Sequence, residues 1–126
     1  MTHEESRIQQ GCVRWFRYQF PNLARLLFAV PNGGARDRIT GAILKGEGVV
    51  AGVSDLILLV PAGPYHALCV EMKTRAGHQS PAQKEWQGEV EKHGYRYVVC
   101  RSLDDFIDAV YGYLGSNETR GRGIYL

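Results

Sequence analysis

Two apolar runs with a short breaker between them constrain the fold of this chain most. Residues 56–60 read LILLV, residues 66–72 read HALCVEM, and the intervening PAGPY contains two prolines and a glycine. A breaker of this kind between two strand-like runs is typical of a hairpin turn. The runs have the composition of buried strands, so we expect an antiparallel hairpin in the interior of a sheet.

Apolar periodicity predicts alternating helices and strands around this hairpin. A stripe at three- and four-residue steps predicts an N-terminal helix, which Pro21 ends. Ser80 and Gln83 have the spacing of a capping box at the start of a later helix. We predict helices over residues 3–20, 37–46, 80–94 and 102–113, and strands over residues 23–30, 55–60, 66–73 and 95–100. The order α-β-α-β-β-α-β-α indicates a small α/β fold with a mixed sheet flanked by helices.

Length and composition describe an ordinary globular domain. The chain has 126 residues, of which 44% are hydrophobic and 22% are charged, and its net charge of +2 says little about partners. No apolar run approaches the roughly 20 residues of a membrane span, and the first residues lack the apolar segment of a secretory signal. We expect residues 1–115 to form the domain, and residues 116–126, which lack periodicity, to form a tail or arm.

Cysteine and histidine usage indicates a reducing compartment and argues against a structural zinc site. The three cysteines are far apart in apolar surroundings, and the four histidines are dispersed. The sequence contains no Cys-x-x-Cys pair. We therefore expect buried thiols in a protein of the cytoplasm rather than a disulfide framework.

Charged residues stand at the ends of the apolar runs, where two carboxylates are predicted to meet. A loop of residues 61–65 sets a register in which Asp55 pairs with Glu71. Alternation along the strand then places Lys73 on the face of Glu71. Opposed carboxylates repel unless a positive charge lies between them, and Mg²⁺ prefers such hard oxygen ligands. The alternative is that Asp55 caps a strand while Glu71 and Lys73 form an ion pair at the sheet edge.

A third carboxylate, that of Glu5, lies at the centre of the apolar stripe of the first helix. At 100° per residue Glu5 aligns with Ile8, Cys12 and Phe16, whereas Glu4 falls at the edge of the stripe. A carboxylate on a core-facing stripe is costly without a partner, and a shared metal site would supply one. The alternative is that the helix frays before Glu5 and the acid reaches water.

Together these residues resemble the PD-(D/E)XK nuclease superfamily, in which an Asp and a later Glu-x-Lys form the catalytic core. The chain is most similar to the VRR-NUC branch, the virus-type replication-repair nucleases, through EESRIQ, VPNGGARD, LKGEGVVAGVSDLILL, CVEMKTRAGHQSPAQKEWQ and HGYRYVVC. The specific combination is Gly-x-x-Asp before a strand, Glu-x-Lys at the end of the hairpin, and Gln-Ser-x-x-Gln in the next helix. One departure is Ser54, where this branch often has proline, which affects the turn and not the ligands. The resemblance implies a restriction-endonuclease-like core.

The resemblance also implies a role for each residue of the site. The ligands of Mg²⁺ or Mn²⁺ would be Asp55, Glu71, the backbone carbonyl of Met72, and Glu5 directly or through water. Lys73 would orient or deprotonate the attacking water, or stabilise the transition state. Gln83 resembles a supporting residue of the site, although its capping-box position explains it equally well.

Nucleic acid binding is expected from the segments that flank this site. Basic side chains and glycine amides there can contact phosphates without reading sequence. The candidate DNA-binding residues are Asn32, Gly33, Gly34, Arg36, Arg38, Lys45, Arg75, His78 and Lys84. A second group would extend this footprint and consists of Arg101, Arg120 and Arg122. Each basic residue taken alone is alternatively an ordinary solvated charge.

The resemblance implies a metal-dependent DNA endonuclease of replication, repair or recombination, in a bacterial or phage-infected cell. We expect branched DNA, such as a Holliday junction, because 126 residues leave little room for a sequence-reading domain. Cutting a four-way junction needs two nicks, which implies a homodimer joined through the RWFRYQF surface or the C-terminal arm. One alternative is a non-catalytic nucleic-acid-binding protein with a nuclease-like fold, and another is a restriction-type enzyme that reads sequence.

Overall fold

The computed structural model describes residues 1–31 and 38–115, without the side chain of Arg38. Its elements in chain order are α1 (His3–Gln19), a 3₁₀ helix (Pro21–Leu26), β1 (Leu27–Ala29), α2 (Arg38–Gly46), β2 (Leu56–Leu58), β3 (Leu68–Met72), α3 (Pro81–Lys92), β4 (Arg96–Cys100) and α4 (Leu103–Gly115). The predicted order of helices and strands is confirmed, with the 3₁₀ helix added. The predicted helix start at Asp37 and the predicted tail, residues 116–126, lie outside the described residues.

Within the described residues, four strands form one mixed sheet in the order β1-β2-β3-β4. β1 and β3 run antiparallel to β2, and β4 runs parallel to β3. The predicted hairpin register is confirmed, because Leu56 pairs with Val70 and Leu58 pairs with Leu68. Asp55 lies one residue before Leu56 and Glu71 lies one residue after Val70, so both carboxylates are at the same end of the hairpin.

The sheet is covered by helices on both faces. β3 is buried along its whole length, and its side chains alternate between the two faces. The core beneath α1 and α4 takes its β3 side chains from Leu68, Val70 and Met72. On the other face, α3 packs against β4 through Trp86 and Tyr97, whose ring centroids are 6.0 Å apart. Glu71 belongs to this second face, because it alternates with the core residues of β3.

The strand predicted over residues 23–30 is wrong for its first half. Residues 21–26 form a 3₁₀ helix, in which the Leu23 N–H donates to the Phe20 carbonyl at 2.9 Å. Pro21 occupies the first position of this turn, where its fixed φ favours a helical conformation. Leu23 is buried, whereas Leu26 is 40% exposed. The apolar run is therefore not buried along its whole length, as a strand in the interior of a sheet would be. Strand geometry is confined to β1.

The prediction of buried thiols is confirmed. Cys12, Cys69 and Cys100 are buried and free. Burial raises the pKa of the Cys12 and Cys100 thiols to about 12, so neither is a reactive thiolate at neutral pH. In the part of the chain that the structure describes, the helices are too short or too polar to cross a membrane.

Candidate metal and nucleic-acid site

Asp55 is held at the end of the hairpin by main-chain contacts. Its Oδ2 accepts a hydrogen bond from the Met72 N–H at 2.6 Å, and its backbone carbonyl accepts one from the Val30 N–H at 2.9 Å. The carboxylate therefore lies across the end of β3, beside the residue that follows Glu71. The predicted meeting of Asp55 with the Glu-x-Lys strand is thus present in the geometry.

Glu71 is a fully buried carboxylate with unequal oxygens. Its side chain is 0% exposed, and Oε1 accepts hydrogen bonds from the Tyr97 hydroxyl and from Gln79 Nε2, the latter at 3.1 Å. Among the described residues, no donor makes a hydrogen bond to Oε2. Lys73 Nζ lies 3.5 Å from Oε2, and the Lys73 side chain is 14% exposed. The Glu71–Lys73 ion pair of the alternative interpretation is therefore present, and within the described residues Oε2 has this ion pair but no hydrogen bond.

Glu5 lies in the first turn of α1, which begins before it. The Glu5 N–H donates to Thr2 Oγ1 at 3.0 Å, and the Thr2 N–H donates to Glu5 Oε1 at 3.2 Å. This capping box holds the helix start in place, so the alternative in which α1 frays before Glu5 does not apply. The half-buried Glu5 carboxylate is close enough for its charge to act on Asp55.

The electrostatics of the cluster favour an added positive charge. Burial is the largest cause that raises the pKa of Asp55, and the charges of Glu71 and Glu5 raise it further. The Met72 N–H and the Lys73 ammonium lower it without cancelling the rise. Asp55 therefore lies within the electrostatic influence of two other carboxylates and one lysine, in a region where a charged carboxylate is costly.

The donor set fits a hydrated divalent cation rather than a closed metal cage. Within residues 1–31 and 38–115, no group of three or more His, Cys, Asp or Glu side chains is placed to hold a metal by itself. Asp55 and Glu71 Oε2, which accepts no hydrogen bond from the described residues, offer two hard oxygens at the hairpin end. Mg²⁺ commonly takes one or two carboxylates and keeps several waters, so this pair meets its requirements with backbone or water oxygens added.

Two residues at the site were not predicted as such, namely Gln79 and Tyr97. Tyr97 is a buried residue of β4, and its hydroxyl donates to Glu71. Burial, followed by the neighbouring Glu71, raises the pKa of the Tyr97 phenol, so it stays protonated at neutral pH and acts as the donor. Gln79 is the first residue of the Gln-Ser-x-x-Gln pattern, so this pattern could have identified it as a residue of the site. The alternation of side chains along β4 could have indicated that Tyr97 lies on the same face of the sheet as Glu71.

Gln83 caps α3, as one of its two interpretations predicts. Its Oε1 accepts from the Ser80 N–H at 2.8 Å, and its own N–H donates to Ser80 Oγ at 3.2 Å. A capping box is therefore complete, with Pro81 at the first helical position. The supporting role of Gln83 at the metal site stays a prediction.

Capping can be separated from catalysis by mutation. We expect Ser80→Ala and Gln83→Ala each to lower the free energy of unfolding by about 1 kcal/mol, because each removes half of the box. Gln83→Glu keeps the carbonyl-type acceptor and serves as the matched control, with stability retained. Urea denaturation measures these differences. Unchanged stability in both alanine variants contradicts the capping role, and a loss of DNA cleavage confined to Gln83→Ala assigns this side chain to the site as well.

Arg101 holds the loop that leaves the site instead of facing solvent alone. Its Nη1 donates to the backbone carbonyls of Thr74 at 2.6 Å, Gly77 at 2.8 Å and Arg75 at 3.3 Å. These carbonyls belong to the connection between β3 and α3, which carries both Lys73 and Gln79. The guanidinium donors used here are occupied by the loop, so the observed role of Arg101 is to order it.

The predicted DNA-binding residues are only partly described. Lys45, Arg75, His78 and Lys84 are exposed, on α2, on the β3–α3 connection and on α3. Of Arg38 only the backbone is described, at the start of α2. The remaining candidates lie outside the described residues and are Asn32, Gly33, Gly34, Arg36, Arg120 and Arg122. Exposure leaves the described cations available to phosphates, and DNA contact stays a prediction for them.

The whole cluster lies inside a match to a known protein family. The family model described as the VRR-NUC domain matches residues 3–104. A solved structure described as a VRR_NUC domain protein is 28% identical to this chain, with 91% of each chain covered and a TM-score of 0.79. A search of curated proteins finds no match. The matched segment includes the carboxylates, Lys73 and every described strand.

Proposed function

This chain belongs to the VRR-NUC family, whose fold is of the nuclease type, and we propose that it is an Mg²⁺- or Mn²⁺-dependent endodeoxyribonuclease acting on branched DNA. The observation that carries the proposal is the buried Glu71 carboxylate. One of its oxygens is saturated by Tyr97 and Gln79, while the other has no hydrogen-bond donor among the described residues. A buried carboxylate oxygen left in this state suits a cation ligand.

The proposed metal ligands come from both strands of the hairpin. Asp55 and Glu71 would hold the ion, together with the Met72 carbonyl, and Glu5 would bind directly or through water. When bound, a divalent ion lowers the pKa of a water and neutralises charge on the scissile phosphate. The protein keeps the carboxylates in place through the Met72 N–H and the Tyr97 hydroxyl.

Lys73 supplies a fixed positive charge beside the same site. Its ammonium pairs with Glu71 Oε2 at 3.5 Å, a distance too long for a strong hydrogen bond. The Lys73 N–H donates to the Cys100 carbonyl at 3.0 Å, which anchors the backbone from which the side chain extends. We propose that Lys73 orients the attacking water and stabilises negative charge on the phosphate during cleavage.

Branched DNA and a homodimer follow as parts of the same proposal. Exposed cations on separate segments, with Lys45, Arg75 and Lys84 as described examples, favour phosphate contacts over base reading. A four-way junction requires two symmetric cuts, and two copies of the chain would supply them. Among the described strands β1 lies at one edge of the sheet, which supports association. Phe28 on this strand is 39% exposed, and Leu26 directly before it is 40% exposed. We place the nuclease domain at residues 1–115, with residues 116–126 as an arm, and the enzyme in the cytoplasm of a bacterial or phage-infected cell.

Cleavage of a panel of labelled DNAs tests the activity. With Mg²⁺ we expect the protein to cut four-way junctions and flaps faster than linear duplex. Lys73→Ala should cut about 10²–10³-fold more slowly, since it removes one charge that stabilises the transition state. Lys73→Ala should still bind Mn²⁺ in calorimetry, because the carboxylates remain. Equal cleavage by wild type and Lys73→Ala would remove the assigned site.

The second candidate is a nucleic-acid-binding protein that does not cut. The complete set of Asp55, Glu71 and Lys73 favours the nuclease, because a binding module has no use for a carboxylate-held cation. Junction binding with no Mn²⁺ uptake and no cleavage in either metal would establish this alternative.

A further inference from the structure

We propose that Tyr97 is a positioning residue that, with Gln79, fixes the Glu71 carboxylate so that only Oε2 is presented to the metal. The inference rests on the proposed function and adds two residues outside the predicted ligand set. It starts from the asymmetry of Glu71, whose Oε1 takes both donors while Oε2 takes none among the described residues.

The sheet brings Tyr97 to Glu71 through parallel pairing. In the β3–β4 ladder Cys69 pairs with Tyr97 and Glu71 pairs with Val99. Tyr97 therefore lies two residues from the partner of Glu71 and on the same face. Its ring packs edge to face against Trp86 of α3, which limits the directions that the hydroxyl can take. A rigid aromatic ring thus delivers one donor to one carboxylate oxygen.

The second donor is Gln79, and side chains on the surface of α3 determine which way its amide group points. Gln87 Nε2 donates to Glu91 Oε2 at 3.2 Å, and a carboxylate at neutral pH can only accept. Gln87 therefore turns its Oε1 toward Gln79, whose Nε2 donates to it at 2.8 Å. The same Nε2 donates to Glu71 Oε1 at 3.1 Å. An exposed acid thus sets the polarity of a chain of amides that ends on the buried carboxylate.

Hydrogen-bond donors to a metal-binding carboxylate orient that carboxylate without contacting the metal themselves. Loss of an outer-shell hydrogen bond typically costs 10–100-fold in metal affinity. With Tyr97 absent, the Glu71 carboxylate can rotate or accept Lys73 through either oxygen, which weakens its hold on the ion. Tyr97 and Gln79 act through Glu71 and have no contact with substrate in this account.

The test compares two buried tyrosines by calorimetric titration with Mn²⁺. Tyr97→Phe removes the hydroxyl above Glu71, whereas Tyr113→Phe removes a buried hydroxyl that donates to the Val60 carbonyl at 2.7 Å, away from the site. We expect Tyr97→Phe to bind Mn²⁺ about 10–100-fold more weakly and Tyr113→Phe to bind within about twofold of wild type. Gln79→Met, which keeps the chain length without donors, should weaken binding in the same direction and carries the test if Tyr97→Phe does not fold.

The outcomes separate this inference from the proposed function. Wild-type affinity in both Tyr97→Phe and Gln79→Met, with Mn²⁺ binding lost in Asp55→Asn, overturns the positioning role and leaves the metal site standing. Equal weakening in Tyr97→Phe and Tyr113→Phe also overturns it, because any loss of a buried hydroxyl would then suffice. Absence of Mn²⁺ binding by the wild-type protein overturns both the positioning role and the proposed metal site.

Discussion

Replacement of Asp55 by asparagine is expected to lower Mg²⁺-dependent DNA cleavage by roughly 10³-fold or more, while the metal-free protein becomes more stable at neutral pH. The first effect follows because a divalent ion contributes several kcal/mol to stabilising the transition state, and each 1.4 kcal/mol is about a tenfold change in rate. The fold should survive, because the asparagine oxygen can still accept the Met72 N–H that Asp55 Oδ2 accepts at 2.6 Å.

The stability effect has a definite sign. The pKa of Asp55 in the metal-free fold is raised, first by burial and then by Glu71 and Glu5. A carboxyl group with a raised pKa in the folded state favours the fold when protonated, below its unfolded pKa of about 3.9. That advantage is lost as the pH rises through the folded pKa. Asparagine stays neutral, so the variant should melt above wild type at pH 7 and at the same temperature near about pH 3.

Thermal unfolding in EDTA and in Mn²⁺ checks the predicted stability and metal binding, and a cleavage assay with Mg²⁺ checks the predicted loss of activity. Added Mn²⁺ should raise the melting temperature of the wild type through its binding free energy and leave the Asp55→Asn variant nearly unchanged. A variant that still cleaves DNA at the wild-type rate would show that Asp55 holds no essential metal. A variant that is less stable than wild type in EDTA at pH 7 would show that the Asp55 charge is well compensated without metal.

Substitution of Gly52 by alanine should have the largest effect on stability, with a loss of at least about 3 kcal/mol in the free energy of unfolding. Gly52 has a φ of +89°, and a Cβ added there would lie 2.5 Å from the carbonyl carbon of Ala82 and 2.9 Å from the Gln83 nitrogen. The loop before Asp55 thus packs directly on the first turn of α3. This close approach gives a physical reason for the glycine in the Gly-x-x-Asp pattern.

Gly48 offers the matched control for this prediction. Its φ is +106°, but a Cβ added there meets nothing within 4 Å. Gly48→Ala should therefore lose only the backbone strain, about 1–3 kcal/mol, in the same urea titration. Since Gly52 lies three residues before Asp55, Gly52→Ala should also weaken Mn²⁺ binding at temperatures where the protein is folded. Equal destabilisation by the two substitutions would mean that contact with α3 contributes nothing.

The sequence carried the information for the hairpin and for the carboxylates, because both depend on local rules. Loop length and alternation were enough to predict the register that brings Asp55 beside the strand of Glu71. Helical periodicity was enough to place Glu5 toward the core instead of Glu4. These features need only neighbours within one hairpin or one helix.

The hydrogen-bond partners of Glu71 could not be predicted in the same way. Tyr97 reaches Glu71 from a parallel strand, whose register depends on how α3 and its loops cross the sheet. The direction of the Gln79 amide depends on Gln87 and on a distant surface acid. The 3₁₀ helix after Pro21 was missed because a short apolar run does not distinguish a strand from a helical turn.

A crystal of the protein grown or soaked with Mn²⁺ tests the central claim most directly, through the anomalous scattering of the ion. We expect one peak at the end of the hairpin, contacted by an Asp55 oxygen and by Glu71 Oε2, while Glu71 Oε1 keeps its hydrogen bonds to Tyr97 and Gln79. An ordered site without an anomalous peak, or a peak that avoids both carboxylates, would contradict the account.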